Sequence, residues 1–238
     1  AMDYTLKMRK LDSERQMDVL LSKNKVDESD ITILAERIAE FHKNTNSIHE
    51  KNVLDIREKF NDLDLVKEFL SQHFDADLVR VVTDAIKFSD AFLKENESLL
   101  LARLKSGFFR DCHGDLHTRN IFLLPEPQPF DCIEFNDDYR QIDVLNEVAF
   151  LCMDLDALGR KDLSDLFIEH YNRLLPVTRT SGEKQLFIYY KCYRANVRAK
   201  VNSLRAKSVL DAEAKTKALA EVERYLLLMQ DYIQSLSA

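Results

Sequence analysis

The sequence predicts a mainly helical α+β fold in which two runs of helices flank one short β-containing insert. Three observations carry that reading. Gly and Pro number only four each in 238 residues, so helix-interrupting residues are scarce. Apolar residues recur at spacings of three and four along most of the chain. Three of the prolines, Pro125, Pro127 and Pro129, cluster in one turn between two short extended segments within 108–136.

Taken in order, Asp3 to Leu11 alternates as a strand. Tyr4, Leu6 and Met8 fall on one face, with Thr5, Lys7 and Arg9 on the other. Ser13-Glu14-Arg15-Gln16 has a capping-box signature and is expected to open a helix. Glu14 or Asp18 could pair with Lys7, although a basic strand beside an acidic helix is also a common solvated surface. Helices are predicted near 30–43, 47–60, 62–72 and 76–104. After the insert, others are predicted near 141–158, 161–174, 183–207 and 211–236, with Gly159 and the Pro176 region as stops.

Composition narrows the class. With 45% hydrophobic and 32% charged residues, the chain can bury one sizeable core, or one large lobe with a small appendage. No apolar run approaches the ~20 residues that span a bilayer, and the N-terminus lacks a signal-peptide core, so no membrane partner is expected. A net charge of −7 argues against general nucleic-acid binding and is compatible with a cationic substrate. Cys112, Cys132, Cys152 and Cys192 form no close pair, which predicts reduced, buried thiols in a cytoplasmic protein and no zinc site.

The chemistry concentrates in His113-Gly114-Asp115-Leu116-His117-Thr118-Arg119-Asn120. An Asp and an Asn five positions apart, with a His two before the Asp, has the spacing of a phosphotransferase catalytic loop. There the Asp orients or accepts the proton of an attacking hydroxyl, and the Asn holds magnesium on the ATP phosphates. The blander reading makes Asp115 and Asn120 turn residues that cap local backbone.

This octapeptide, with Ile121-Phe122-Leu123 behind it, resembles the catalytic loop of aminoglycoside phosphotransferase-like kinases. Phe130-Asp131-Cys132-Ile133-Glu134-Phe135 is similar to that family's strand ending in an acidic magnesium ligand. Asp143 through Glu147 fits its Asp-x-x-x-Asp segment with Glu second. The likeness is to a bacterial branch of uncertain substrate. It implies a protein kinase-like large lobe over 29–238 and a truncated small lobe, a strand and helix, over 1–28.

The implied function is transfer of a phosphoryl group from ATP to a hydroxyl of a small molecule, with Mg2+. Asp115 is the implied catalytic residue, and Lys7, His113, His117 and Asn120 sit at nucleotide-facing positions. His113 is expected to brace the loop, and His117 either to contact phosphate or to fill the loop. Asn120 would share the metal with Glu134, fourteen residues on; Asp131, eleven on, would need a shorter turn and is the alternative. Asp143 is expected to fasten the loop by accepting backbone N–H bonds. No two of the four glycines are close together, so the glycine hairpin that covers phosphates in such kinases has no counterpart. That absence supports an alternative, a non-catalytic pseudokinase or binding module. Another segment or a partner completing the small lobe is a third reading.

In the 183–207 segment, Leu186, Tyr190, Tyr193, Val197, Val201 and Leu204 form an apolar stripe. Arg194, Arg198 and Arg205 each follow a stripe residue. They are expected to belong to a solvated basic face, with contact to an anionic ligand in the cleft as the other possibility. Tyr189, Tyr190 and Tyr193 are expected to be packing.

Overall fold

A computed structural model describes residues 10–237, so the predicted first strand and Lys7 lie outside the described residues. Ten helices form the body: α1 (Met17–Ser22), α2 (Glu28–Asn44), α3 (Ile56–Asn61), α4 (Lys67–Ser71), α5 (Ala76–Lys105), α6 (Asp137–Arg140), α7 (Val144–Ala157), α8 (Lys161–Leu174), α9 (Ser181–Ser208) and α10 (Ala212–Ser237). Four short strands complete it: β1 (Phe109–Asp111), β2 (Ile121–Phe122), β3 (Gln128–Pro129) and β4 (Gln141–Asp143). β1 pairs antiparallel with β4 and β2 with β3, making two separate ribbons. The chain is therefore mainly helical α+β.

The centre is α7. Every residue from Val144 to Leu155 is buried, because α8, α9 and the catalytic-type loop cover it on all sides. α10 lies along α9 and α5, and α2 packs on α8. A stack of rings, Phe92 on Tyr189 at 4.5 Å and Phe60 on Tyr189 at 6.2 Å, joins α3, α5 and α9, so Tyr189 is packing as expected.

Three predicted elements differ. Asp12, not Ser13, caps the first turn by accepting the Glu14 N–H at 3.0 Å, and that turn is a 3-10 turn ending at Arg15. The expected helix over 47–60 forms only from Ile56, because the preceding residues are drawn onto β1: the Ile48 N–H bonds the Phe109 carbonyl at 2.8 Å. In α9, Val201 and Leu204 are 48% and 51% exposed, while Asn202 and Ser203 face inward. Those two tolerate burial because each bonds its own helix, Asn202 to the Arg198 carbonyl and Ser203 to that of Ala199.

One buried ion network ties the helix ends together. Arg103, 2% exposed at the end of α5, donates from Nε and Nη2 to Asp143 at 2.6 and 2.9 Å. Its Nη1 reaches Glu183 at 2.9 Å and the Val177 carbonyl at 3.0 Å. Burial works against the Arg103 charge, but Asp143 and Glu183 outweigh it and hold the guanidinium protonated. Removing one member strands the others in the core, which typically costs about 3–5 kcal/mol. Arg103→Met is expected to lower unfolding stability by that amount in urea titrations; a loss under about 1 kcal/mol would show that the network contributes little.

Candidate active site

β1 delivers the chain to the loop, and α7 holds it there. The backbone N–H of His113 donates to Glu147 Oε1 at 2.7 Å and that of Gly114 to Oε2 at 3.0 Å. Thr118 is gripped one face-repeat further along α7, its N–H and hydroxyl both donating to Asp154 at 3.0 and 2.6 Å. Glu147 and Asp154 are seven residues apart, two helical turns, so both carboxylates point at the same loop. Gly114 has φ +86, and a Cβ there would meet the Tyr139 carbonyl oxygen at 3.0 Å and Ile133 Cδ1 at 3.1 Å, so only glycine fits.

Inside the loop, the His113 ring braces the backbone. Its Nδ1 accepts the Asp115 N–H at 3.3 Å, which leaves Nε2 protonated and donating to the Phe130 carbonyl at 2.8 Å. His117 is set the same way: Nδ1 accepts the Arg119 N–H, and Nε2 faces Asp115 Oδ2 at 3.3 Å. Asn120 donates from its side chain to Asp115 Oδ2 at 2.8 Å. Asp115 thus carries two donors on one oxygen, and the residue lines the cleft. Partial burial pushes its pKa up, but the bond from His117 and the charges of Arg194 and Arg198 outweigh that, and the carboxyl sits below its usual range. It is ionised at neutral pH, so it can accept a hydrogen bond from a hydroxyl and orient it.

The cleft holds about 840 Å³, and its walls include Gly114, Asp115, Asp131, Glu134, Tyr193 and Arg194. The hairpin closes early: the Phe130 N–H bonds the Asn120 carbonyl at 2.7 Å. That bond leaves Asp131 one residue beyond Asn120's partner. Its backbone is left-handed, with φ 63, an uncommon setting for a residue other than glycine. Glu134 lies three residues further, after Ile133, whose N–H bonds the His113 carbonyl at 3.0 Å. It lines both this cleft and a second cavity of about 720 Å³ behind the loop.

Several expectations change. Asp143 does not touch the loop; it binds Arg103 and caps α7 through the Leu145 N–H at 2.9 Å. Glu147 does the fastening. Arg194 and Arg198 are buried rather than solvated, and only Arg205 lies on an exposed face. Arg194, 5% exposed, donates to Asn146 Oδ1 at 2.7 Å and the Gly114 carbonyl at 3.2 Å while covering the Phe150 ring at 4.6 Å. Tyr190 and Tyr193 both pack as expected, Tyr193 stacking on Phe60 at 6.2 Å while also lining the cleft. Cys132 is exposed, the other three thiols buried. Glu14 pairs with Lys23, and Asp18 faces Arg119 at 3.9 Å. The signal for Glu147 and Asp154 is visible in retrospect: with Asn146 they are the polar residues of an otherwise apolar run from Val144 to Leu155.

Among curated proteins, the chain is similar to uncharacterized proteins of Mycobacterium tuberculosis and Mycobacterium bovis. Each is 38% identical over 146 residues, covering 61% of this chain and 28% of the relative. The chain thus matches well under half the length of those proteins. No family model and no solved structure matches. No helix among the described residues is long and apolar enough to cross a membrane.

Asp154 supplies a test of how the loop is held. Burial pushes its pKa up, but Arg198, His117 and the Thr118 bonds bring it below the usual value. A depressed folded-state pKa stabilises above the unfolded value, near 4, and that stabilisation disappears as pH falls through the folded value. Asp154→Asn is therefore expected to flatten the loss of stability below about pH 4 in denaturation curves. An unchanged acid limb would assign that loss to other carboxylates. Glu147→Ala is expected to speed amide exchange at His113 and Gly114 by at least about tenfold, the equivalent of one lost hydrogen bond.

Proposed function

We propose that the cleft accepts a hydroxylated small molecule and that the protein transfers a phosphoryl group from ATP to one of its hydroxyls. The observation that carries this reading is the junction of Asp115 and Asn120: an ionised carboxylate on the cleft wall, positioned by a side chain whose oxygen meets no donor among the described residues. A turn serving only to cap backbone needs neither the ionised group nor the cleft. The kinase-like reading of the helical body rests on the same residues and on their resemblance to a catalytic loop.

The donor set fits magnesium, which takes oxygen ligands: the Asn120 side-chain oxygen and a carboxylate from the hairpin. Asp131 is the partner proposed here, because the Phe130–Asn120 bond fixes its backbone beside Asn120, while Glu134 lies three residues further along and lines both cavities. When bound, magnesium would neutralise phosphate charge as it develops during transfer. Asp115 would orient the acceptor hydroxyl and take up its proton late, as its low pKa demands. His117 holds Asp115 in place from a buried position, so it acts on the carboxylate rather than on substrate. Arg194 contributes fixed positive charge beside Asp115 and forms no ion pair among the described residues, which favours a phosphoryl group arriving there.

The test is calorimetric titration with ATP, with and without magnesium, beside a turnover assay over hydroxylated metabolites. Asn120→Ala and Asp131→Ala are expected to weaken magnesium-dependent binding at least about tenfold, with Glu134→Ala changing it far less. Asp115→Ala should keep nucleotide binding while turnover drops about 10²–10⁴-fold. Turnover unaffected by Asp115→Ala would remove the assignment, and binding without any turnover would favour a non-catalytic module.

A further inference from the structure

Behind the catalytic-type loop, three side chains from distant parts of the chain meet in the core: His42 on α2, Cys112 just after β1, and Glu147 on α7. Each is buried, and one imidazole nitrogen, the thiol sulfur and one carboxylate oxygen lie within 4.8 Å of one another. An ion centred among three such atoms would be no more than about 2.8 Å from each, against about 2.0–2.3 Å for zinc bonds to nitrogen, oxygen and sulfur. Adjustments of well under 1 Å per side chain would close that gap.

A second observation concerns the same histidine. His42 is fully buried, its Nδ1 lies 2.7 Å from the Tyr171 hydroxyl, and its Nε2 meets no hydrogen-bond partner among the described residues. An unpaired buried ring nitrogen costs free energy unless a ligand takes it up. With Nδ1–H donated to Tyr171, the Nε2 lone pair is free, the arrangement by which a hydrogen-bonded neighbour orients a ligating histidine.

We infer that His42, Cys112 and Glu147 form a binding site for a zinc ion that pins α2, β1 and α7 together beneath the loop. The charges balance: one neutral imidazole, one thiolate and one carboxylate against a divalent cation leave no net charge in the core. Burial pushes His42 down to about 3, with the charge of Arg110 adding to the effect, so the imidazole is in its metal-binding form. Cys112 is a thiol when no metal is present, donating to the Ile142 carbonyl at 3.6 Å, and its proton would be released on binding. Cys112 also lines the 720 Å³ cavity, which gives the ion a route in. Glu147 can keep its two backbone bonds, since a carboxylate has lone pairs enough for both tasks. Cysteine spacing gives no hint of this site, because its ligands are 70 and 35 residues apart.

The inference does not depend on the phosphotransferase reading, and neither does its test. Cobalt(II) is titrated into the full chain carrying Cys132→Ser, which removes the exposed thiol of the cleft, and absorbance is followed. A sulfur-to-cobalt charge-transfer band saturating at one equivalent, and abolished by one equivalent of zinc, is expected. Adding Cys112→Ser should eliminate the band, and His42→Gln should weaken binding at least about tenfold. Absence of the band in the parent protein overturns the site whatever the variants do, as does a band that survives Cys112→Ser.

Discussion

The carboxylate of Glu147 is the pivot of this molecule. It sits where no water can solvate it, and burial pushes its pKa upward against the backbone N–H bonds and nearby cations that favour its charge. Such a group is stable only if its partners stay in place, so the N–H groups of His113 and Gly114 are held as firmly as the helix that carries it. From that anchor the rest of the loop follows. Gly114 turns in a left-handed conformation, His113 reaches across to Phe130, and Asp115 arrives on the cleft wall with a fixed orientation. Asp154 repeats the device at the other end of the loop.

α7 can play this part because it is apolar enough to be buried along most of its length while carrying Glu147 and Asp154 on the face turned to the loop. A helix of that kind gives up solvent entirely, and any carboxylate it bears must find donors inside the protein. The loop supplies them. Core and site are thus a single construction, in which the backbone of the loop satisfies the helix and the helix positions the loop. Arg103 does the same for the ends of α5, α7 and α9, closing the body around that central helix.

Much of this was legible in the sequence. Long helices with strong periodicity, α2, α5, α8, α9 and α10, fall where spacing and caps place them, and the proline cluster marks the hairpin. The loop residues also come together as their spacing implies. What sequence could not resolve depends on partners far along the chain. Residues 47–55 have helical composition, but the chain at 46–48 is claimed by β1. Arg194 and Arg198 look like any charged run until α7 and α10 are seen to cover them. Spacing alone leaves Asp131 and Glu134 as alternative acidic residues after Asn120, and both line the cleft.

Asp131 sits in that ribbon's exit with a left-handed backbone, where an L-residue other than glycine pays about 1–2 kcal/mol. Glycine would relax the corner and remove one carboxylate from the cleft wall. The protein therefore keeps a small reserve of conformational energy at one point on the cleft wall. A search for more stable variants would be drawn to this position, and by the function proposed here it would find there the one improvement that makes the protein less able to do its work.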